Sequence, residues 1–341
     1  MKTEIVVNPD DQALNRAAGI IKNGGLVAFP TETVYGLGAS ALDERAAAKI
    51  YLAKGRPSDN PLIIHLSAPE EAEKYAFVDK TFEKLAEMFL PGALTVVLPK
   101  KEIIPASVTG GLGTVAVRVP SNKIAHRLIE LSGVPIAAPS ANISGRPSCT
   151  SASHVIADMD GRIDMIIDGG DCDIGLESTI IMSEGDDRVR ILRPGQITAE
   201  MLSDGGFEVS FDKAVTEKPE DGEKPLAPGM KYRHYAPRAR VILVRASVCD
   251  FISFAKENTG GGNTFVCYGE YVCSGIPDMF TIGPEKDRTT QAHKLFSLLR
   301  KFDDMSNIKT IYIPLPEKDD IGLAIYNRLI KASGYTVTDI I

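Results

Sequence analysis

Lys54 and Arg56 flank a glycine in the stretch Ala-Lys-Gly-Arg-Pro-Ser-Asp-Asn-Pro at residues 53–61. Gly55 stands where a helix C-cap takes a left-handed backbone, and Pro57 blocks the helix from resuming. Lys54, Arg56, Asp59 and Asn60 are therefore expected to project from a tight, proline-locked turn. Two cations and an amide held in this way suit a polyanion such as a triphosphate. The same residues also suit an ordinary solvated helix end, because basic side chains favour helix C-termini.

Arg118 lies inside Val-Ala-Val-Arg-Val-Pro at residues 115–120. An arginine in a buried-type strand is costly unless it meets an anion, either a protein carboxylate or a carboxylate on a ligand. His65 sits within the apolar run 62–66 and reads more readily as a satisfied core histidine than as a ligand contact. Two polar loops follow apolar strands: Pro-Thr-Glu-Thr-Val-Tyr-Gly-Leu-Gly at 30–38, and Pro-Ser-Ala-Asn-Ile-Ser-Gly at 139–145, which runs on into Arg146, Pro147 and Ser148. Ligands of α/β sheets bind at strand ends, although hydroxyl- and glycine-rich turns occur in every fold. Residues 111–116 match G-x-G-x-x-A, but a strand pattern follows where a dinucleotide site needs a helix N-terminus. No G-x-x-x-x-G-K-S/T occurs, so the chain is not a P-loop protein.

The elements that must hold these side chains are legible as periodic segments. Asp43 N-caps a helix that ends at Lys54, with Ala46, Ala47, Ile50 and Tyr51 on its apolar face. Asp10 caps another over 11–23, and further helices are expected at 69–76, 80–89, 123–131 and 153–159. Strands are expected at 5–7, 26–29, 62–66, 94–98, 115–119, 135–138 and 165–167. Residues 178–182 and 189–192 read as an antiparallel pair about the acidic turn 184–187, followed by Arg193-Pro-Gly and a short helix capped by Thr198. Residues 213–224 read as a polar linker. Residues 227–237 differ, because Lys231, Tyr232, Arg233, His234 and Tyr235 are unlike a solvating spacer. Beyond residue 240 strand and helix alternate, which predicts a small parallel α/β domain.

A chain of 341 residues is long for one core and predicts two domains. At 44% apolar and 24% charged it has a globular composition. No segment has the ~20 apolar residues a membrane span needs, and the N-terminus lacks the apolar core of a signal peptide, so a cytoplasmic location is expected. The five cysteines form no Cys-x-x-Cys pair, which argues against a disulfide framework or a zinc finger. The net charge of −7 argues against wholesale coating of nucleic acid. Residues 227–240 nevertheless carry Lys231, Arg233, Arg238 and Arg240 with no acid, and need an anionic partner.

Taken together, the 30–38 loop, Lys54-Gly-Arg56, Ser140-Ala-Asn142 and Glu177-Ser-Thr-Ile180 resemble the signature of the YrdC family. With the Pro228–Pro237 segment and the second domain, the layout resembles the long, two-domain form of the threonylcarbamoyl-AMP synthase family across essentially the whole chain. The resemblance implies a twisted mixed α/β sheet with one open cleft over residues 1–205, a linker with a site-facing segment over 206–239, and a small parallel, Rossmann-like α/β domain over 240–341. It implies a nucleotidyltransferase that makes threonylcarbamoyl-adenylate from L-threonine, bicarbonate and ATP and releases pyrophosphate. A partner transferase would then modify the adenosine beside the tRNA anticodon.

By the same resemblance, Lys54 and Arg56 hold the triphosphate with Asn60 beside them. Ser140, Asn142 and Ser148 serve phosphate, metal or nucleoside, and Thr114 and Arg193 fall at ATP. Arg118 takes the threonine carboxylate, and Thr33, His65, Ala138 and Ser178 complete the amino-acid pocket. Mg²⁺ is expected on the phosphates with few protein ligands, and no protein metal site. Tyr232, His234 and Tyr235 are expected to close over the cleft, with His234 or Tyr235 at the nucleotide, and a weak tRNA contact is allowed for. Three rivals are an RNA-binding module that uses the cleft without catalysis, the hydrogenase-maturation carbamoyltransferase, whose zinc-finger cysteine pairs are missing here, and a regulatory protein whose small domain senses a ligand.

Overall fold

Helices in this chain begin where a short polar side chain can take the first free N–H groups. The Ala13 N–H donates to the Asp10 carboxylate at the start of α1 (Asp11–Lys22), and the Arg45 and Ala46 N–H groups donate to Asp43 at the start of α2 (Glu44–Lys54). Gly55 ends α2 with φ 61°, the left-handed cap its position predicts. The computed structural model describes residues 2–218, 225–230, 234–272 and 275–340. The expectations for Lys231, Tyr232 and Arg233 lie outside the described residues. The chain divides into two units, Met1–Ser144 with Ser148–Lys231, and Gly145–Pro147 with Tyr232–Ile341.

The first unit is built on one mixed sheet. Its strands are β1 (Glu4–Val7), β2 (Val27–Phe29), β3 (Gly36–Ser40), β4 (Ile63–His65), β5 (Leu94–Pro99), β6 (Thr114–Arg118), β7 (Ile136–Ala137), β8 (Met165–Asp168), β9 (Thr179–Gly185), β10 (Arg188–Arg193) and β11 (Glu208–Phe211). They lie in the order β1-β8-β2-β3-β7-β4-β6-β5-β9-β10-β11. Within it β4 runs parallel to β6, while β7 runs antiparallel to β4 and β5 antiparallel to β6. α1 and the helix Lys123–Ser132 close one core, in which Leu14, Ile21, Phe29, Leu128 and Ile136 are buried together. Residues 69–76, expected as an α-helix, form the shorter 3₁₀ turn Pro69–Lys74 instead, with Pro69 opening it and no side-chain cap.

Residues 206–218 and 225–230, within the linker expected over 206–239, contribute to this unit. β11 pairs parallel with β10. Ala227 and Met230 are buried against Ile63, Val97, Ala116, Ile180 and Leu192, so a proline- and glycine-rich stretch is pinned by apolar contacts that no local pattern announces. Met230→Ala is expected to destabilise the protein by about 2–5 kcal/mol, the usual cost of a buried methionine truncation. The midpoint of urea unfolding checks it, and a change within ~0.5 kcal/mol, the scale of surface substitutions, would mean the segment is not anchored there.

The second unit is a five-stranded parallel sheet of β12 (Arg240–Arg245), β13 (Asn263–Tyr268), β14 (Met279–Gly283), β15 (Thr310–Pro314) and β16 (Val337–Asp339), in the order β14-β13-β15-β12-β16. The helices Val248–Glu257, Arg288–Asp303 and Asp320–Ala332 alternate with the strands, as the sequence predicts. An aromatic core holds it together, with Phe265 and Tyr312 stacked at 5.5 Å between ring centroids. Among the described residues no helix is long and apolar enough to cross a membrane.

Candidate active site

The register of β4 and β6 sorts the site residues onto two edges of the first unit's sheet. Ile63 pairs with Ala116 and His65 with Arg118. Asn60, Pro61 and Thr114 therefore lie at the edge where both strands begin, and His65 and Arg118 at the edge where both end. With a rise of about 3.3 Å per residue, the two ends of β6 are roughly 13 Å apart. Because β7 is antiparallel to β4, its C-terminal end delivers the Ser140–Asn142 loop to the first edge, where Ala138 is buried and donates its N–H to the Ile63 carbonyl at 2.9 Å.

At this first edge the two cations turn inward rather than outward. Lys54 is 2% exposed. Its ammonium donates to the Ser140 carbonyl at 2.5 Å and to the Asn142 carbonyl, while its own carbonyl accepts the Ser144 N–H at 2.9 Å. The Ser140 hydroxyl donates to Asn142 Oδ1 at 2.5 Å. Arg56 donates through Nη2 to the Pro61 carbonyl at 2.9 Å and through Nε and Nη2 to the Asn60 carbonyl. Asn60 is itself buried, and its Oδ1 has no hydrogen-bond partner. The end of α2, the 56–61 turn and the Ser-Ala-Asn loop are thus one hydrogen-bonded unit with cations at its centre.

At the second edge Arg118 Nη2 donates to Glu32 Oε1 at 2.7 Å, with both side chains buried. Of the two partners the sequence left open for Arg118, a protein carboxylate is the one present here. Arg193 donates to the Ser178 carbonyl at 3.1 Å and to its hydroxyl at 3.2 Å. The Ser178 hydroxyl also lies 2.7 Å from the Thr95 hydroxyl. The Ser148 hydroxyl donates to Glu177 Oε1. Ser148 and Arg193, expected at ATP, are therefore joined to residues 177–178. Thr33 is fully buried and its hydroxyl meets that of Thr31 at 2.9 Å. His234 and Tyr235 lie in the second unit, where Tyr235 packs on Phe296 at 5.3 Å and beneath the Arg328 guanidinium.

Charge at the second edge is tightly set. Burial pushes the Glu32 carboxyl up, but the Arg118 guanidinium outweighs it and holds the group below the usual carboxylate value. The nearby N–H groups of Glu32 and Ser121 assist without hydrogen-bonding to Oε2. Burial, then the charge of Arg118, pushes His65 down to about 3. The ring is therefore neutral, and its Nδ1, 3.3 Å from the Ile136 carbonyl, carries the proton. Unfolded, this imidazole protonates near pH 6.5. Stability from the neutral ring is complete above that pH and is lost as the pH falls toward 3, by up to ~1.4 kcal/mol per pH unit. Glu32 adds a loss in the same direction only below the ordinary carboxylate range. His65→Gln is expected to flatten the fall in urea stability between pH 7 and pH 5; an unchanged slope would refute the buried neutral ring.

Sequence reasoning missed Glu32, Thr95 and Glu177 as site residues. Glu32 carried one available signal, an acid placed among threonines directly after a buried strand. Glu177 stood inside a quoted motif but had no assigned chemistry, and Thr95 gives no sign in its strand.

A mixed α/β sheet that buries cations beneath polar loops along both strand edges is the architecture of a small-ligand enzyme domain. Residues 19–195 match the family model described as telomere recombination, which covers Sua5, YciO and YrdC proteins. Residues 197–334 match the C-terminal domain model of threonylcarbamoyl-AMP synthase. The threonylcarbamoyl-AMP synthase of Pyrococcus abyssi is 48% identical over 329 residues, 94% of each chain. That of Bacillus subtilis is 41% identical over 333 residues, 96% of this chain and 95% of the relative. The crystal structure of P. abyssi Sua5 complexed with L-threonine aligns with a TM-score of 0.89 and 44% identity over the full length of both chains. The chain belongs to the threonylcarbamoyl-AMP synthase family, in its two-domain form.

Proposed function

We propose that this protein makes threonylcarbamoyl-AMP from L-threonine, bicarbonate and ATP with release of pyrophosphate. One observation carries the reading: a single sheet bears both the buried Lys54–Ser140–Asn142 cluster and the buried Arg118–Glu32 pair, phosphate-type and carboxylate-type groups together. A product that joins an amino acid to a nucleotide needs both. Its two-domain relatives of the same name, and the P. abyssi structure with L-threonine, support the assignment.

In this reading Lys54, Arg56, Asn60, Thr114, Ser140 and Asn142 line the triphosphate and nucleoside, and Arg193 and Ser148 extend that lining toward the amino acid. Arg118 receives the threonine carboxylate, with Thr33, His65, Ala138 and Ser178 around it. Chemistry of this kind asks the protein mainly to position groups and to neutralise charge, and no nucleophilic side chain is required. Among the described residues no group of three His, Cys, Asp or Glu side chains could hold a metal. A Mg²⁺ carried by the triphosphate would meet hydroxyl and amide groups such as those of Ser140, Asn142 and Ser148. When bound, the ion would neutralise charge on the phosphates. The labile product is then handed to a transferase that modifies tRNA.

Pyrophosphate release tests this directly. Release from ATP is expected only when bicarbonate and threonine are both present. Release that ignores threonine would overturn the reading, and salt-sensitive RNA binding without any turnover would favour an RNA-binding module instead.

A further inference from the structure

We propose that Glu32 recognises the ammonium group of the amino-acid substrate through Oε2 while its other oxygen positions Arg118; this rests on the amino-acid pocket assigned above. Glu32 is 6% exposed and Arg118 4%. They share one short bond, Nη2 to Oε1. Glu32 Oε2 and Arg118 Nε are both buried without a hydrogen-bond partner. Buried polar atoms are nearly always satisfied, and leaving a charged one unmet is expensive. Here an anionic acceptor and a cationic donor are left unmet on adjacent side chains.

The ligand that answers both is a zwitterion. Its carboxylate takes the remaining donors of Arg118, and its ammonium donates to Oε2. Charge balance points the same way. Arg118 and Glu32 sum to zero and His65 is neutral, so a zwitterion enters without adding net charge to a buried site. A plain carboxylate would set two anions against one guanidinium, which a low-dielectric site penalises. Glu32 thus makes the pocket specific for an α-amino acid, and fixes the guanidinium at the angle the carboxylate needs.

The test compares two ligands on the full-length protein by calorimetry: L-threonine, and 2,3-dihydroxybutyrate, which keeps the carbon skeleton and carboxylate but replaces the ammonium with a hydroxyl. The unsubstituted protein is expected to prefer threonine by at least ~10-fold, the scale of one charge-assisted hydrogen bond. Glu32→Gln, which keeps an acceptor for Arg118, should lose most of that preference by weakening threonine alone. Glu32→Asp, which keeps the charge, should retain it, and decides the matter if Glu32→Gln does not fold. Melting curves and ATP binding report on folding. Equal weakening of both ligands in Glu32→Gln, or a lost preference in Glu32→Asp, would overturn the proposal. If the unsubstituted protein binds neither ligand, the amino-acid pocket itself is misassigned and the proposal falls with it.

Discussion

Lys54→Met is expected to abolish ATP binding, weakening it by at least ~100-fold, and to destabilise the fold by about 2–4 kcal/mol. The two effects share one cause. The Lys54 ammonium is buried between the Ser140 and Asn142 carbonyls, and the Lys54 carbonyl accepts from Ser144. One residue therefore fastens the end of α2 to the whole Ser-Ala-Asn loop. Methionine preserves the stem but leaves two buried carbonyls without their charged donor, at about 1–3 kcal/mol each before relaxation. The loop then loses the conformation that presents Ser140 and Asn142. Lys54→Arg is not expected to rescue binding, because a planar guanidinium cannot replace a compact ammonium between two carbonyls of one tight turn. Calorimetric titration with ATP and urea unfolding separate the effects. Lost stability with unchanged ATP affinity would make Lys54 a structural tie only.

How far the sequence could see is clear from this residue. The end of α2 was legible because its causes are local: Asp43 at one end, and Gly55 followed by Pro57 at the other. The direction of the side chain was not. The sequence predicts Lys54 and Arg56 projecting from a tight turn and names no partner for them within the chain, whereas both donate to backbone carbonyls. The acceptors of Lys54 lie 86 and 88 residues away, beyond the reach of any periodicity. A cap shows where a helix stops and leaves open which way its last side chain folds.

The same distinction runs through the fold. The second unit was readable because each strand and helix carries its own local signal, with Ser247 and Asp287 accepting N–H groups at the starts of their helices. The first sheet was readable as mixed α/β, but its order was not, because β7 sits between β3 and β4 through pairings far apart in sequence. That order sets the two edges of the candidate site. Residues 225–230 show the limit of local reading, because long-range packing buries Ala227 and Met230 against strands of the first sheet and no periodicity announces it.

Arg118→Met is the second substitution with a large expected effect, and its signature is double. With Arg118 in the assigned role, threonine affinity falls by about 2–5 kcal/mol, as for one partner removed from a buried charge pair, while ATP binding changes little. Stability falls by about 3–5 kcal/mol, because Glu32 is left as a buried carboxylate with no cation. The pH dependence identifies the cause. With Arg118 gone, burial, the largest influence on Glu32, is opposed only by the Glu32 and Ser121 N–H groups, and the carboxyl's pKa is expected to rise above the unfolded value. A group with a raised folded pKa gives its stability below the unfolded pKa and loses it as the pH rises. The penalty of Arg118→Met should therefore shrink between pH 7 and pH 5. Adding Glu32→Gln should recover part of the stability at pH 7 but none of the threonine binding, since the double substitution removes the unpaired charge without restoring the guanidinium. A penalty independent of pH, or threonine binding restored in the double variant, would show that the Glu32–Arg118 pair does not act as the carboxylate-binding centre.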